Sequence, residues 1–187
     1  MNANSIGIGN VIKYKNRFWM VTKKEHVKPG KGGAFVQVEM KDIINGTKTN
    51  ERFRSDEDLE KAFMEEKTFS YQYDEGDKIA LMDMETFDQE SFSKELLGNK
   101  VAYLQEGMEV RVCYCEGMPI DIKLPETVIL GIKETEPSIK GQTVTNSFKP
   151  AILENGVRVM VPPFVTTEDK IVVKTEDSTY VERAGKK

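Results

Sequence analysis

Apolar and polar residues alternate over short stretches along almost the whole chain, which is the two-residue period of half-buried β-strands. In the first third the pattern predicts strands at 10–14, 17–21, 34–40 and 49–54. Lys15-Asn16 reads as a tight turn between the first two, and Asn45-Gly46 as a hairpin turn before the last. Strands this short and this closely spaced curl into a small barrel more readily than they lie in an open sheet. The acidic stretch 55–60 then interrupts the alternation and marks a boundary. A second set of strands is predicted at 68–73, 78–83, 108–115 and 118–124, with turns at 74–77 and at Glu116-Gly117. Residues 90–97, closed by Gly98-Asn99, are the best candidate for a helix. A third set follows at 128–132, 157–161, 170–174 and 179–183. No strand–helix–strand alternation is present, which argues against a doubly wound parallel-sheet enzyme, and three small all-β domains are expected.

The segment that departs most from this rhythm is Lys28-Pro29-Gly30-Lys31-Gly32-Gly33, between two predicted strands. Pro29 sets its own φ and drives Lys28 toward an extended backbone, while the glycines impose no side-chain bulk. The result is a hairpin tip that presents the long cationic side chain of Lys31 with only hydrogens beside it. Such a tip suits a charged probe for a narrow place; it also suits an ordinary exposed hairpin made soluble by two lysines.

Charge changes the picture. The net charge of −4 conceals a basic first part, +7 over residues 1–55, and an acidic remainder, −11 over residues 56–187. A basic end on an acidic chain points to a polyanionic partner, against chance segregation in a multidomain acidic protein. Hydrophobic residues make up 39% and charged residues 31%, and the apolar runs are only a few residues long, so no membrane partner is expected. Residues 1–5 have neither a basic nor an apolar signal-like stretch, and the expected location is the cytoplasm.

The chemistry of catalysis is missing. His26 is the single histidine, set beside Glu25 and read as a surface residue, and nothing in its setting supports a Ser-His-Asp or a Cys-His arrangement. Cys113 and Cys115 lie two residues apart on a predicted strand, too few for a disulfide framework and too far from His26 for a metal site. Lys31 is followed by Gly32-Gly33 and a strand, which rules out the phosphate-binding loop of nucleotide hydrolases. The paired carboxylates sit in turns, where acids are ordinarily solvated. The expectation is therefore a protein that is not an enzyme, with no cofactor and no metal. Phe35, Trp19, Phe53, Tyr103 and Met160 are read as core residues, although exposed aromatics on a small barrel could stack on bases.

These residues together resemble a known family. The run from Lys28 to Phe35, the segment Asn50-Glu51-Arg52-Phe53-Arg54-Ser55, the C-terminal run Lys149-Pro150-Ala151 with Gly156 and 159–165, and the terminal Tyr180-Val181-Glu182-Arg183 are similar to bacterial translation elongation factor P, in the same order and over the whole chain. The resemblance implies an all-β fold: an N-terminal SH3-like (KOW-type) barrel over 1–66, an OB-fold barrel over 67–128 and a C-terminal OB-fold barrel over 129–187, in an L-shaped, tRNA-like arrangement. It implies a factor that binds the 70S ribosome between the peptidyl and exit sites and stimulates peptide-bond formation at consecutive prolines. Lys31 would carry a group attached by a lysine-modifying enzyme and reach the CCA end of the peptidyl-tRNA. The implied RNA-binding residues are Lys28, Pro29, Gly30, Lys31, Gly32 and Gly33; Gly141, Gln142 and Thr143 in a loop facing the exit-site codon; and Tyr180 and Arg183. For the last two, a barrel-closing aromatic and a plain surface charge remain the alternative. Lys13, Lys15, Lys23, Lys24 and Lys28 could meet tRNA or ribosomal RNA phosphates from the first barrel, or simply be solvated. The protein is expected to be monomeric. Two departures stand out. Gln142 replaces the usual aspartate, which keeps hydrogen bonding but removes charge, and Glu168 stands where glycine is usual, which implies a different turn.

Overall fold

The computed structural model describes residues 1–28, 30, 32–137 and 148–185. Among these, three five-stranded sheets account for nearly all of the regular structure. The first comprises β1 (Val11–Tyr14), β2 (Arg17–Val27), β3 (Phe35–Asp42), β4 (Lys48–Arg54) and the two-residue β5 (Glu60–Lys61), in the order β4-β3-β2-β1-β5. The second has the order β10-β9-β6-β7-β8, from β6 (Met64–Asp74), β7 (Lys78–Asp83), β8 (Gln89–Ser93), β9 (Glu109–Cys115) and β10 (Met118–Lys123). The third has the order β13-β12-β11-β14-β15, from β11 (Thr127–Thr135), β12 (Lys149–Leu153), β13 (Arg158–Val161), β14 (Lys170–Lys174) and β15 (Tyr180–Arg183).

The chain divides into two compact units, Met1–Glu66 with Cys113–Asp121, and Lys67–Val112 with Ile122–Lys187. In the first unit the inward positions of the strands, Ile12, Trp19, Val21, Val36, Val38, Met40 and Phe53, make one core. Tyr14 meets Phe53 edge to face at 5.2 Å, the geometry that aromatic quadrupoles prefer. The indole Nε1–H of Trp19 donates to Tyr14 O at 3.1 Å, so this aromatic is buried without an orphaned donor. A smaller apolar cluster joins Val11 and Ala62 to Cys115, flanked by Phe18, Ile43 and Ile120. This places the hairpin end around Glu116-Gly117 against the first barrel, and burial pushes the Cys115 thiol pKa up.

One hairpin loop is used three times. Asp42 N–H donates to Thr47 O at 2.8 Å and Gly46 N–H to Asp42 O at 2.9 Å. Asp83 with Asp88 and Phe87 repeats the pair of bonds at 2.9 and 2.9 Å, and Lys174 with Thr179 and Ser178 repeats it at 2.9 and 3.1 Å. The residue that closes each loop has positive φ: 69° at Gly46, 63° at Phe87 and 59° at Ser178. Glycine takes that conformation at no steric cost; phenylalanine and serine take it against their preference. In the first two loops an aspartate holds the turn, Asp42 Oδ1 accepting from Ile44 and Asn45, and Asp83 Oδ1 from Glu85 and Thr86.

The helix expected at 90–97 is replaced by β8 and a short 3-10 turn, Lys94–Leu96. Residues 89–93 pair in register with β7, from Lys78 opposite Ser93 to Met82 opposite Gln89. An eight-residue helix has too few internal hydrogen bonds to hold on its own, whereas the ladder supplies partners along its whole length. β12 is a strand absent from the pattern-based set, and it holds Pro150, which has no backbone N–H to give a ladder. Met160, expected in the core, faces outward and is 49% exposed, since β13 buries only Val159 and Val161. At Glu168 the chain turns over Thr166–Asp169, Thr166 N–H donating to Asp169 Oδ2 at 2.9 Å. No positive φ occurs at Glu168, so this turn does not require glycine there.

Candidate functional site

The glycine-rich loop stands at the free end of β2 and β3, whose last paired residues are Val27 and Phe35. β2 is the longest strand of its sheet at 11 residues, and a bulge between Val21 and Lys23 bends it as it leaves the barrel. Beyond that bulge the inward-facing row is Lys24 and His26 instead of apolar residues, and His26 is exposed. Lys28, Gly30, Gly32 and Gly33 are exposed as well. Gly32 has φ 118°, a conformation that side chains resist. Gly30 and Gly33 have no such φ, and a Cβ on either would meet nothing within 4 Å. The chain's own fold therefore demands glycine at Gly32 and leaves Gly30 and Gly33 free to be larger. Pro29 and Lys31 lie outside the described residues, as do Gly141, Gln142 and Thr143.

The lysines expected to face RNA are mostly occupied. Lys13 lies 3.8 Å from Glu60, Lys15 3.2 Å from Glu51, and Lys23 2.6 Å from Glu25. The hydrogen bonds that the Lys15 ammonium donates to Tyr14 and Glu51 raise its pKa, and Lys23 and Glu25 move each other's in opposite directions, the lysine up and the glutamate down. Lys24 is structural: its ammonium donates to Asn4 O at 2.8 Å and Ile6 O at 2.9 Å, holding the N-terminal segment to β2. Arg17 faces Asp42 at 3.4 Å, Lys48 faces Glu39 at 3.7 Å, and Arg54 faces Asp56 at 3.5 Å.

Arg52 differs. On the outward face of the sheet it stands opposite Gln37 and diagonal to Phe35, and its guanidinium carbon lies 4.0 Å from the centre of the Phe35 ring. The sequence reading gave Phe35 only a core role and Arg52 no role. Their contact depends on strand register, which no local pattern displays.

In the other unit, Tyr180 opens β15 half-buried, and that burial pushes its phenol pKa up. Arg183 is exposed, 3.7 Å from Asp169 and 5.8 Å from the Phe164 ring. Among the described residues, no group of three or more His, Cys, Asp or Glu side chains is arranged to hold a metal ion. No helix among them is long and apolar enough to cross a membrane.

Comparison with known proteins fits this architecture. Family models match in tandem: an elongation factor P KOW-like domain at residues 2–59, an elongation factor P OB domain at 64–122, and an elongation factor P C-terminal domain at 128–183. Relatives named elongation factor P include those of Parvibaculum lavamentivorans, 52% identical, and Rickettsia africae, 55% identical, each match covering 98% of both chains. That of Brucella ovis is 48% identical over 98% of this chain and 99% of its own. Among solved structures, a eukaryotic translation initiation factor 5A from Methanococcus jannaschii matches in fold, with TM-score 0.54 and 19% identity over 66% of this chain and 91% of its own. A protein of the same initiation factor family from Naegleria fowleri matches with TM-score 0.53 and 20% identity, covering 66% of this chain and 96% of that one. The chain is thus a translation factor built of small β-barrels. It belongs to the elongation factor P family.

Proposed function

We propose that this protein binds the 70S ribosome between the peptidyl and exit sites and relieves stalling at consecutive prolines. In this reading Lys31, lengthened by a lysine-modifying enzyme, reaches the CCA end of the peptidyl-tRNA and orders it for attack. Proline is a poor acceptor amine with a rigid ring, so the benefit is one of positioning rather than of acid or base chemistry, and the factor itself is not catalytic. A cation at the end of a slender tip is drawn to RNA phosphates, and its N–H groups can order the CCA backbone.

The observation that carries this reading is the open space around Gly30 and Gly33. Neither glycine is required by the chain's own backbone, so the absence of bulk is best explained by an external cavity that the loop must enter. Lys28, Pro29 and Gly32 complete the loop, and the family membership supports a ribosomal partner. The same reading includes domains at 1–66, 67–128 and 129–187, a second RNA contact through Gly141, Gln142 and Thr143, contacts from Tyr180 and Arg183, and a monomer acting in the cytoplasm.

The test is translation of a reporter with consecutive prolines by ribosomes supplied with the native protein, with Lys31→Ala and with Lys31→Arg. Both variants are expected to fold normally and to lose rescue. Intact-mass measurement of the native protein is expected to show an increment localised to the Lys31 peptide. Normal rescue by Lys31→Ala overturns the proposal.

A further inference from the structure

We propose that Arg52, held against the ring of Phe35, is an RNA phosphate contact at the base of the lysine loop. This rests on the proposed function for its RNA partner, but the residue is chosen by geometry. Of the basic side chains in the first barrel, Lys13, Lys15, Arg17, Lys23, Lys48 and Arg54 each have a carboxylate within 4 Å, and Lys24 is committed to two carbonyls. Six of the eleven basic side chains of residues 1–55 thus have a carboxylate beside them. Arg52 is exposed and has no carboxylate partner among the described residues.

What it has instead is an aromatic platform. Phe35 is half-buried although it points away from the core, and Arg52 covers it at 4.0 Å. A guanidinium lying over a ring keeps its N–H fork at the edge of the stack, with donors in a plane that matches two phosphate oxygens. The stack restricts the side chain before RNA arrives, so less rotamer freedom is lost on binding. Lys28, Lys41 and Lys61 also lack a carboxylate partner among the described residues, but they are flexible point charges with no such platform. Phe35 is the first residue of β3 after the loop, so a phosphate held by Arg52 lies beside the root of the tip. The ligand is a phosphodiester of an RNA strand that runs past the loop.

The experiment uses the full-length, natively modified factor and ribosomes stalled at consecutive prolines. It measures the factor concentration that half-saturates peptide-bond formation across a series of KCl concentrations. Arg52→Gln is expected to raise that concentration about 5- to 20-fold at low salt, and to lower the slope of log affinity against log salt by about 0.7 to 0.9, the loss of one phosphate contact. Arg52→Lys is expected to keep the slope and lose about 3-fold, because the charge stays but the planar fork goes. Phe35→Leu is expected to keep the slope with an intermediate loss, and thermal melts establish that each variant is folded. An unchanged half-saturating concentration and slope for Arg52→Gln, with Lys31→Ala still inactive, overturns this assignment alone. Absence of stimulation by the unaltered factor overturns the proposed function and this assignment with it.

Discussion

Glu116 and Phe63, 53 residues apart, are joined by two hydrogen bonds: Phe63 N–H donates to the Glu116 carboxylate at 2.6 Å, and Glu116 N–H donates to Phe63 O at 2.9 Å. The pair ties the hairpin end between β9 and β10 to the segment that leaves the first barrel, beside the apolar cluster of Val11, Ala62 and Cys115. Glu116 makes these bonds from a left-handed backbone, φ 50°, which glutamate does not prefer. A charge-assisted bond to a backbone N–H offsets that strain.

Two substitutions separate the strain from the bond. Glu116→Ala keeps the strain and removes the acceptor, and is expected to cost about 1–2 kcal/mol. Glu116→Gly loses the same acceptor but relieves the backbone, and is expected to cost less. Urea denaturation of both variants measures the difference; equal costs would mean that the conformation at Glu116 stores no strain.

The loop glycines are expected to divide by role. Gly32→Ala has to place a side chain at φ 118° and is expected to lose about 1 kcal/mol or more in thermal unfolding. Gly30→Ala and Gly33→Ala meet open space and are expected to be neutral or to gain up to about 1 kcal/mol, because the unfolded chain loses freedom. Their stimulation of peptide-bond formation is nevertheless expected to fall, as the added methyl groups thicken the tip. Full stimulation by the Gly30→Ala, Gly33→Ala double variant would remove the steric argument.

Asp83 carries a pH signature. Backbone N–H groups of Glu85 and Thr86 hold its carboxyl below the usual aspartate value. A folded-state pKa that is depressed adds stability above the unfolded value and loses it as pH falls through the folded one. The contribution is therefore expected to be whole at neutral pH and to fade from about pH 4 downward. Asp83→Asn retains an oxygen acceptor but cannot titrate, so its stability is expected to fall less steeply than that of the native chain over that range. Parallel acid-unfolding curves for the two proteins would show that Asp83 plays no part.

The three-barrel architecture was legible because alternation and turn signals are local. Val36, Val38, Met40 and Phe53 fall inward as the two-residue period requires, and Lys15 and Asn16 form the expected turn with φ 49° and 59°. Of the three equivalent hairpin loops only the one closed by Gly46 could be read in advance. Phe87 and Ser178 adopt its conformation without any residue preference to announce it. Strand β8 was misread for a related reason: residues 90–97 have a weak pattern of their own, and pairing with β7 decided their state.

The sequence by itself determined the strand-rich fold, the glycine-rich loop between β2 and β3 and the basic character of residues 1–55, since each depends on residues adjacent in the chain. Only the tertiary structure decided which of those basic residues have charge to spare. Ion pairing is set by distances across strands, and it commits Lys13, Lys15, Lys23 and Lys24 to partners while leaving Arg52 stacked on Phe35. Register brings that arginine and that ring together, and register is a property of the assembled sheet.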